Sequence, residues 1–104
     1  MEEVNLDIVW LKQCLKDFES FSEEEFIKVD NKLKESLPNI YQNAPSVKGT
    51  NLRRLRVGKK RLFLKVVDNK IYCIGYKYRD KAYNKNQLKE MDKMIKKIMS
   101  EQSL

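Results

Sequence analysis

The sequence predicts an α+β fold in which an N-terminal helical hairpin packs on a small antiparallel sheet, with a C-terminal helix closing the chain. Three observations carry this. Apolar residues recur at helical spacing as far as Pro38, the period drops to two between residues 51 and 78, and helical spacing returns from Asn84 onward. At 104 residues the chain is long enough for one compact core and too short to divide into two, so residues 1–104 are expected to form a single domain.

The opening "VNLDIVW" alternates loosely, which predicts a short strand over Val4 to Ile8. Leu11, Cys14, Leu15 and Phe18 then fall at i, i+3, i+4 and i+7, one apolar stripe of a first helix, and Trp10 beside them reads as core. Ser22 followed three residues later by Glu25 is a capping-box pattern, with Phe21 placed as a hydrophobic staple. It opens a second helix whose stripe runs through Phe26, Val29, Leu33 and Leu37 until Pro38 stops it. The acids of "SEEE" suit the positive end of that helix dipole and need no catalytic role. "PNIYQNAPSVKGT" reads as the connection to the sheet.

Asn51 to Val57, Arg61 to Val67 and Lys70 to Tyr78 are predicted strands, joined by tight turns at "VGKK" and "VDNK" and therefore antiparallel neighbours. In the middle strand Leu62, Leu64 and Val66 point one way and Arg61, Phe63 and Lys65 the other. One face is thus expected to meet the helices and the other to show charge with one aromatic. Tyr72, Tyr76 and Tyr78 read as packing residues of the last strand. "NKNQLKEMDKMIKKIM" restores the helical stripe through Leu88, Met91, Met94 or Ile95, and Ile98, with its lysines on a solvated face.

Composition narrows the chemistry. No apolar run approaches the roughly 18 residues of a membrane span, and the acidic start "MEEVNLDIVW" lacks the layout of a signal peptide, so a soluble cytoplasmic protein with no membrane partner is expected. Cys14 and Cys73 lie in apolar patterns without a CxxC spacing, and the chain has no histidine, which removes the common zinc sets. Buried reduced thiols, no metal and no cofactor are the expectation. The net charge of +7 is unevenly distributed: residues 1–40 sum to −5 and residues 41–104 to +12. Such asymmetry predicts one face for an acidic partner, of which nucleic acid is the most frequent because each neutralised phosphate releases counterions.

The densest charge lies in "KGTNLRRLRVGKKRLFLKV", Lys48 to Val66, where eight of nineteen residues are Lys or Arg and none is acidic. Arg53, Arg54, Arg56, Lys59 and Lys60 serve either as RNA contacts or as solvated strand and turn residues; the pattern alone leaves both open. Arg61 stands out because it shares a face with Phe63 and Lys65.

From "KGTNLRRLRVGKKRLFLKVVDNKIYCIGYKYRDKAY" the chain resembles the RelE/ParE superfamily of toxin–antitoxin toxins. The likeness lies in a Lys-rich lead-in, Leu-Arg, a Gly turn, a central strand opening with Arg, an Asp turn, and a last strand leading into Arg-x-x-x-Tyr. The resemblance implies the RelE/ParE fold, a cognate antitoxin as protein partner, and, for the ribonuclease branch, metal-free cleavage of mRNA on the ribosome. In that reaction the ribose 2′-hydroxyl attacks and leaves a 2′,3′-cyclic phosphate. The implied catalytic residues are Arg61 and Arg79 on the phosphate and Tyr83 on a base, with Arg54 where RelE ribonucleases can carry a Lys. A guanidinium stays protonated at any ordinary pH, so Arg54 clamps phosphate better than it takes a proton. Lys48, Lys77, Lys81 or Tyr83 is left for the general base. Lys48, Arg53, Arg56, Lys59, Lys60, Lys65, Lys77 and Lys81 are the implied RNA contacts. The departure at Arg54 equally suits a ParE-like, non-enzymatic inhibitor of DNA gyrase, or a decayed member that only binds nucleic acid or a partner protein.

Overall fold

The computed structural model describes residues 6–82 and 84–102, with the backbone alone at 81, 82, 101 and 102. The element order is β1 (Asp7–Trp10), α1 (Lys12–Phe18), α2 (Glu23–Ser36), a 3-10 turn (Leu37–Asn39), α3 (Ile40–Asn43), β2 (Arg53–Val57), β3 (Lys60–Val67), β4 (Lys70–Tyr78), α4 (Arg79–Ala82) and α5 (Lys85–Gln102). The helical hairpin, the three-stranded meander and the C-terminal helix thus form where the hydrophobic periods place them.

Local chemistry sets the boundaries. The Ser22 hydroxyl accepts the Glu25 N–H at 3.2 Å and starts α2. Pro38, which lacks an N–H, ends the α-helical ladder, and the chain continues as a 3-10 turn. The β2–β3 turn uses Gly58 at φ +59°, and the β3–β4 turn uses Asp68 at φ 54°, where a short polar side chain tolerates the left-handed conformation.

The sheet order is β1-β4-β3-β2. β2, β3 and β4 are antiparallel, with Arg56 opposite Arg61 and Arg61 opposite Lys77. The first strand occupies Asp7–Trp10, shifted toward the C-terminus of the expected span, part of which lies outside the described residues. It runs parallel to β4, making the sheet mixed. Parallel neighbours need a long crossover, and the helices and strands between β1 and β4 supply it. Because β1 pairs only with Lys70 to Cys73, the remainder of that edge is covered by α1, whose Asp17 Oδ2 accepts the Tyr76 N–H at 3.0 Å. A carboxylate here does the work of a missing strand.

Two cores result. Cys14, Phe18, Val29, Leu33, Leu55, Leu62, Leu64, Ile71, Cys73 and Tyr76 fill the space between the sheet and the helical hairpin. Trp10 joins them half-buried, 4.8 Å from Phe26 and edge-on to Phe18. Phe18 stacks on Tyr76 with ring centroids 4.5 Å apart. Leu62 and Leu64 are fully buried, and burial of each such side chain stabilises the fold by about 1.5–3 kcal/mol.

The opposite face departs from the expected charged surface. Val47, Leu52, Phe63, Tyr72, Ile74, Met91 and Ile95 form a second core, because α5 lies across that face. Asp92 on α5 accepts the Asn51 N–H at 2.9 Å and pairs with Lys96, fastening the helix to the segment before β2. Arg54, Arg56, Arg61 and Arg79 are left at the end of the sheet that α5 does not cover. Among the described residues no helix is long and apolar enough to cross a membrane.

Candidate nucleic-acid interface

Alternation along β2 places Arg54 and Arg56 on the α5 face of the sheet, beyond the reach of α5 itself, while Leu55 and Val57 enter the first core. The β2–β3 register sets Arg61 opposite Arg56. Arg79 follows β4 directly, and its N–H donates to the Lys59 carbonyl at 2.8 Å, drawing the start of α4 against the β2–β3 turn. Arg54, Arg56, Arg61 and Arg79 consequently line one hollow of about 360 Å³ with Gly58 at its rim. Four guanidiniums and no carboxylate face this space, and among the described residues none of the four is ion-paired.

Arg61 is the structural centre of the hollow. It is only 5% exposed, and Nη1 donates to the Gly58 carbonyl at 3.0 Å and to the Lys60 carbonyl at 2.9 Å. Those two bonds use both Nη1 hydrogens and leave the Nε–H and the Nη2 hydrogens for a ligand, the fork that matches two oxygens of a phosphate. Arg54 is steadied more loosely, by the Ser46 carbonyl at 3.3 Å.

The other basic candidates are placed differently. Arg53 points to the opposite face, where it donates to the Ala44 and Tyr41 carbonyls and lies 4.5 Å over the Tyr41 ring. Lys60 also lies on the helical-hairpin side: its amine is 2.6 Å from Glu25 Oε1 and sits over the Phe21 and Tyr78 rings. Lys59 is exposed in the turn, and Lys48 is exposed before β2, outside the hollow. Lys65 shares the face of Arg61, opposite Tyr72 and farther along the strand. Lys77 stands directly opposite Arg61, with its amine 3.0 Å from Asp17 Oδ1. The Lys81 side chain and Tyr83 lie outside the described residues.

The acids that anchor two of these lysines carried no sequence signal as partners, since Glu25 and Lys60 are 35 positions apart and Asp17 and Lys77 are 60 apart. Glu25 accepts both Lys60 and the Tyr76 hydroxyl at 2.6 Å. Those bonds, Lys60 first, hold its carboxyl below the usual range, while burial and Glu25 push the Tyr76 phenol up. Burial raises the Cys14 thiol to about 12 and Cys73 well above its ordinary value, so both are unreactive. Among the described residues no group of three His, Cys, Asp or Glu side chains is placed to hold a metal ion.

No protein-family model matches the sequence, and no curated protein matches it. Solved structures do. A mutant of the Escherichia coli toxin RelE in the free state superposes with TM-score 0.66 at 17% identity, covering 90% of this chain and 98% of that one. The chain has the RelE/ParE toxin fold. The RelBE2 toxin–antitoxin complex of Mycobacterium tuberculosis aligns with TM-score 0.65 at 11% identity, over 73% of this chain and 100% of that chain. The chromosomal ParDE system of Pseudomonas aeruginosa gives 0.55 at 12%, over 73% and 98%. Both named branches of the RelE/ParE fold are thus represented, and identities this low speak to backbone architecture alone. The arginine hollow is read from this chain's own residues.

Proposed function

We propose that this protein is the toxin of a toxin–antitoxin pair and acts as a metal-independent endoribonuclease on ribosome-bound mRNA. The observation that supports this reading is the convergence of Arg54, Arg56, Arg61 and Arg79 on one hollow without a carboxylate. A cleft of that composition favours consecutive phosphates of a single strand, and cations are what a pentacovalent phosphate needs as charge develops on it. In the proposed reaction the 2′-oxygen bonds to phosphorus and its proton passes to a base. The bond from phosphorus to the 5′-oxygen breaks, and that oxygen takes up a proton. Arg61 and Arg79 hold the non-bridging oxygens, Arg54 and Arg56 take the flanking phosphates, and Tyr83 stacks on a base. An acidic antitoxin segment that fills the same hollow would neutralise the protein; that one structural neighbour is a toxin–antitoxin complex supports such a protein partner.

The test is ribosome-programmed mRNA incubated with the protein in EDTA, followed by identification of the new 3′ ends. Cyclic phosphate ends that disappear with Arg79→Ala support the enzyme. Intact mRNA with folded wild-type protein overturns it; arrest of replication rather than translation in expressing cells would then identify a ParE-type inhibitor, the reading favoured by a guanidinium at position 54.

A further inference from the structure

A second, smaller recess lies on the same sheet face, on the far side of the Arg61–Lys77 pair from the arginine hollow. Its volume is about 110 Å³, room for the edge of one planar ring rather than for a whole nucleotide. α1 contributes Gln13 and Asp17, four residues apart and so on one helical face; β4 contributes Ile74 and Lys77. α5 contributes Gln87, Glu90, Met91 and Met94, at i, i+3, i+4 and i+7. Ile74, Met91 and Met94 make one side apolar, and thioethers pack well against aromatic rings. The remaining groups are polar and point to the same space.

The hydrogen-bond inventory of that space is uneven. Asp17 is engaged through both oxygens, one on Lys77 and the other on the Tyr76 N–H. Gln87 Oε1 is buried and accepts no hydrogen bond, a costly state for a carbonyl oxygen that a ligand would relieve. Glu90, one turn further along α5, has an exposed carboxylate with no ion-pair partner among the described residues. Two acceptor residues, three positions apart on α5, therefore line this recess. Across from them Lys77 retains two of its three ammonium hydrogens, and Gln13 adds a carboxamide.

Resting on the RNA reading of the arginine hollow, we infer that this recess between α1 and α5 is a base-reading subsite for guanine. Guanine is the one common RNA base whose Watson–Crick edge carries two adjacent donors, N1–H and the N2 amine, beside an acceptor, O6. Gln87 Oε1 and the Glu90 carboxylate take the donors, Lys77 gives to O6, and the ring face lies on Met91 and Met94. Adenine and cytosine each have one donor group on that edge next to an acceptor, and uracil has one donor between two acceptors, so each leaves one of the two acceptors unpaired. Because Lys77 and Arg61 are cross-strand neighbours, the nucleotide's phosphate falls toward the arginines as its base enters the recess.

The experiment uses fluorescence anisotropy with labelled single-stranded RNAs of about eight nucleotides: all uridine, and the same strand with one central guanosine, inosine or adenosine. The guanosine strand is expected to bind about tenfold more tightly than the uridine, adenosine and inosine strands, the last lacking only the N2 amine. Glu90→Gln and Gln87→Leu should each erase that preference while leaving the affinity and salt slope of the uridine strand unchanged. Equal binding of all four strands by the wild type, with a steep salt slope, overturns the guanine subsite and leaves the arginine hollow standing. An adenosine or uridine preference overturns it too. Absence of salt-dependent binding to any strand brings down both readings.

Discussion

Lys60 and Arg61 are neighbours in sequence and opposites in situation. The Lys60 amine is turned to the helical-hairpin side, fixed by Glu25 and roofing two aromatic rings. Arg61 is turned to the other side, bonded only to main-chain carbonyls and facing three more arginines. Strand alternation alone separates them, but its effect is chemical: one cation is part of the fold and the other keeps its charge for a ligand. A run of basic residues is therefore two populations, and the sheet's pleat decides which is which.

The sharpest way to test that division is through rate. Arg79→Ala, at an exposed position, should lower the cleavage rate about a hundredfold or more with thermal stability unchanged, a loss of roughly 2.7–4 kcal/mol in transition-state stabilisation. Arg61→Ala should match it in rate and also lower the melting temperature, since the side chain is buried and ties the hairpin turn. Lys60→Ala should leave the rate near wild type; a comparable loss there would break the comparison.

The complementary effect is on folding. Glu25→Ala leaves Lys60 and the Tyr76 hydroxyl without their acceptor and should cost about 1–3 kcal/mol in urea unfolding, with RNA affinity unaltered. Its pH dependence has a definite sign. The folded-state pKa of Glu25 lies below its ordinary value of 4.5, because Lys60 and Tyr76 bond its ionised form. The stabilisation is thus fully present above about 4.5 and is lost as pH falls through the folded value. Wild type should destabilise more steeply than Glu25→Gln in that acid range. Asp92 adds in the same direction: burial opposes its ionisation, but the Asn51 N–H and Lys96 outweigh that, so the difference between the two proteins isolates Glu25.

Smaller effects refine the map. Arg54→Ala should weaken RNA binding at all sequences and reduce the slope of log affinity against log salt by about one. Lys93→Ala and Lys97→Ala, on the solvated side of α5, should change stability by no more than about 0.5 kcal/mol and RNA affinity less than Arg54→Ala does.

What the sequence made legible and what it hid follow from range. The Ser22 cap, the stop at Pro38, the two tight turns and the alternation of Leu62 with Arg61 are local, and the structure has them where the residue pattern puts them. Glu25 is half local: its N–H completes the cap, but its carboxylate goes to Lys60 and Tyr76 rather than back to Ser22. The covering of the second sheet face by α5 is not local. Its trace is in "IYCI", Ile71 to Ile74, an unbroken apolar run of the kind that signals burial on both faces. The gathering of Arg79 with the β2 and β3 arginines depends on the Arg79 N–H meeting Lys59 across the end of the sheet, a contact that no period in the sequence encodes.

The two carbonyl bonds of Arg61 carry an entropic consequence. A free arginine side chain surrenders on the order of 2 kcal/mol of rotamer freedom when a ligand immobilises it. Here the β2–β3 turn has immobilised it already, through Gly58 and Lys60, so that loss falls on folding and not on association. Arg54, held by a single longer bond, still has freedom to lose. Of two arginines with equal charge in one hollow, Arg61 should therefore bind its phosphate with the smaller entropic penalty. Calorimetry at fixed salt would show this as a less favourable binding entropy for Arg61→Ala than for Arg54→Ala.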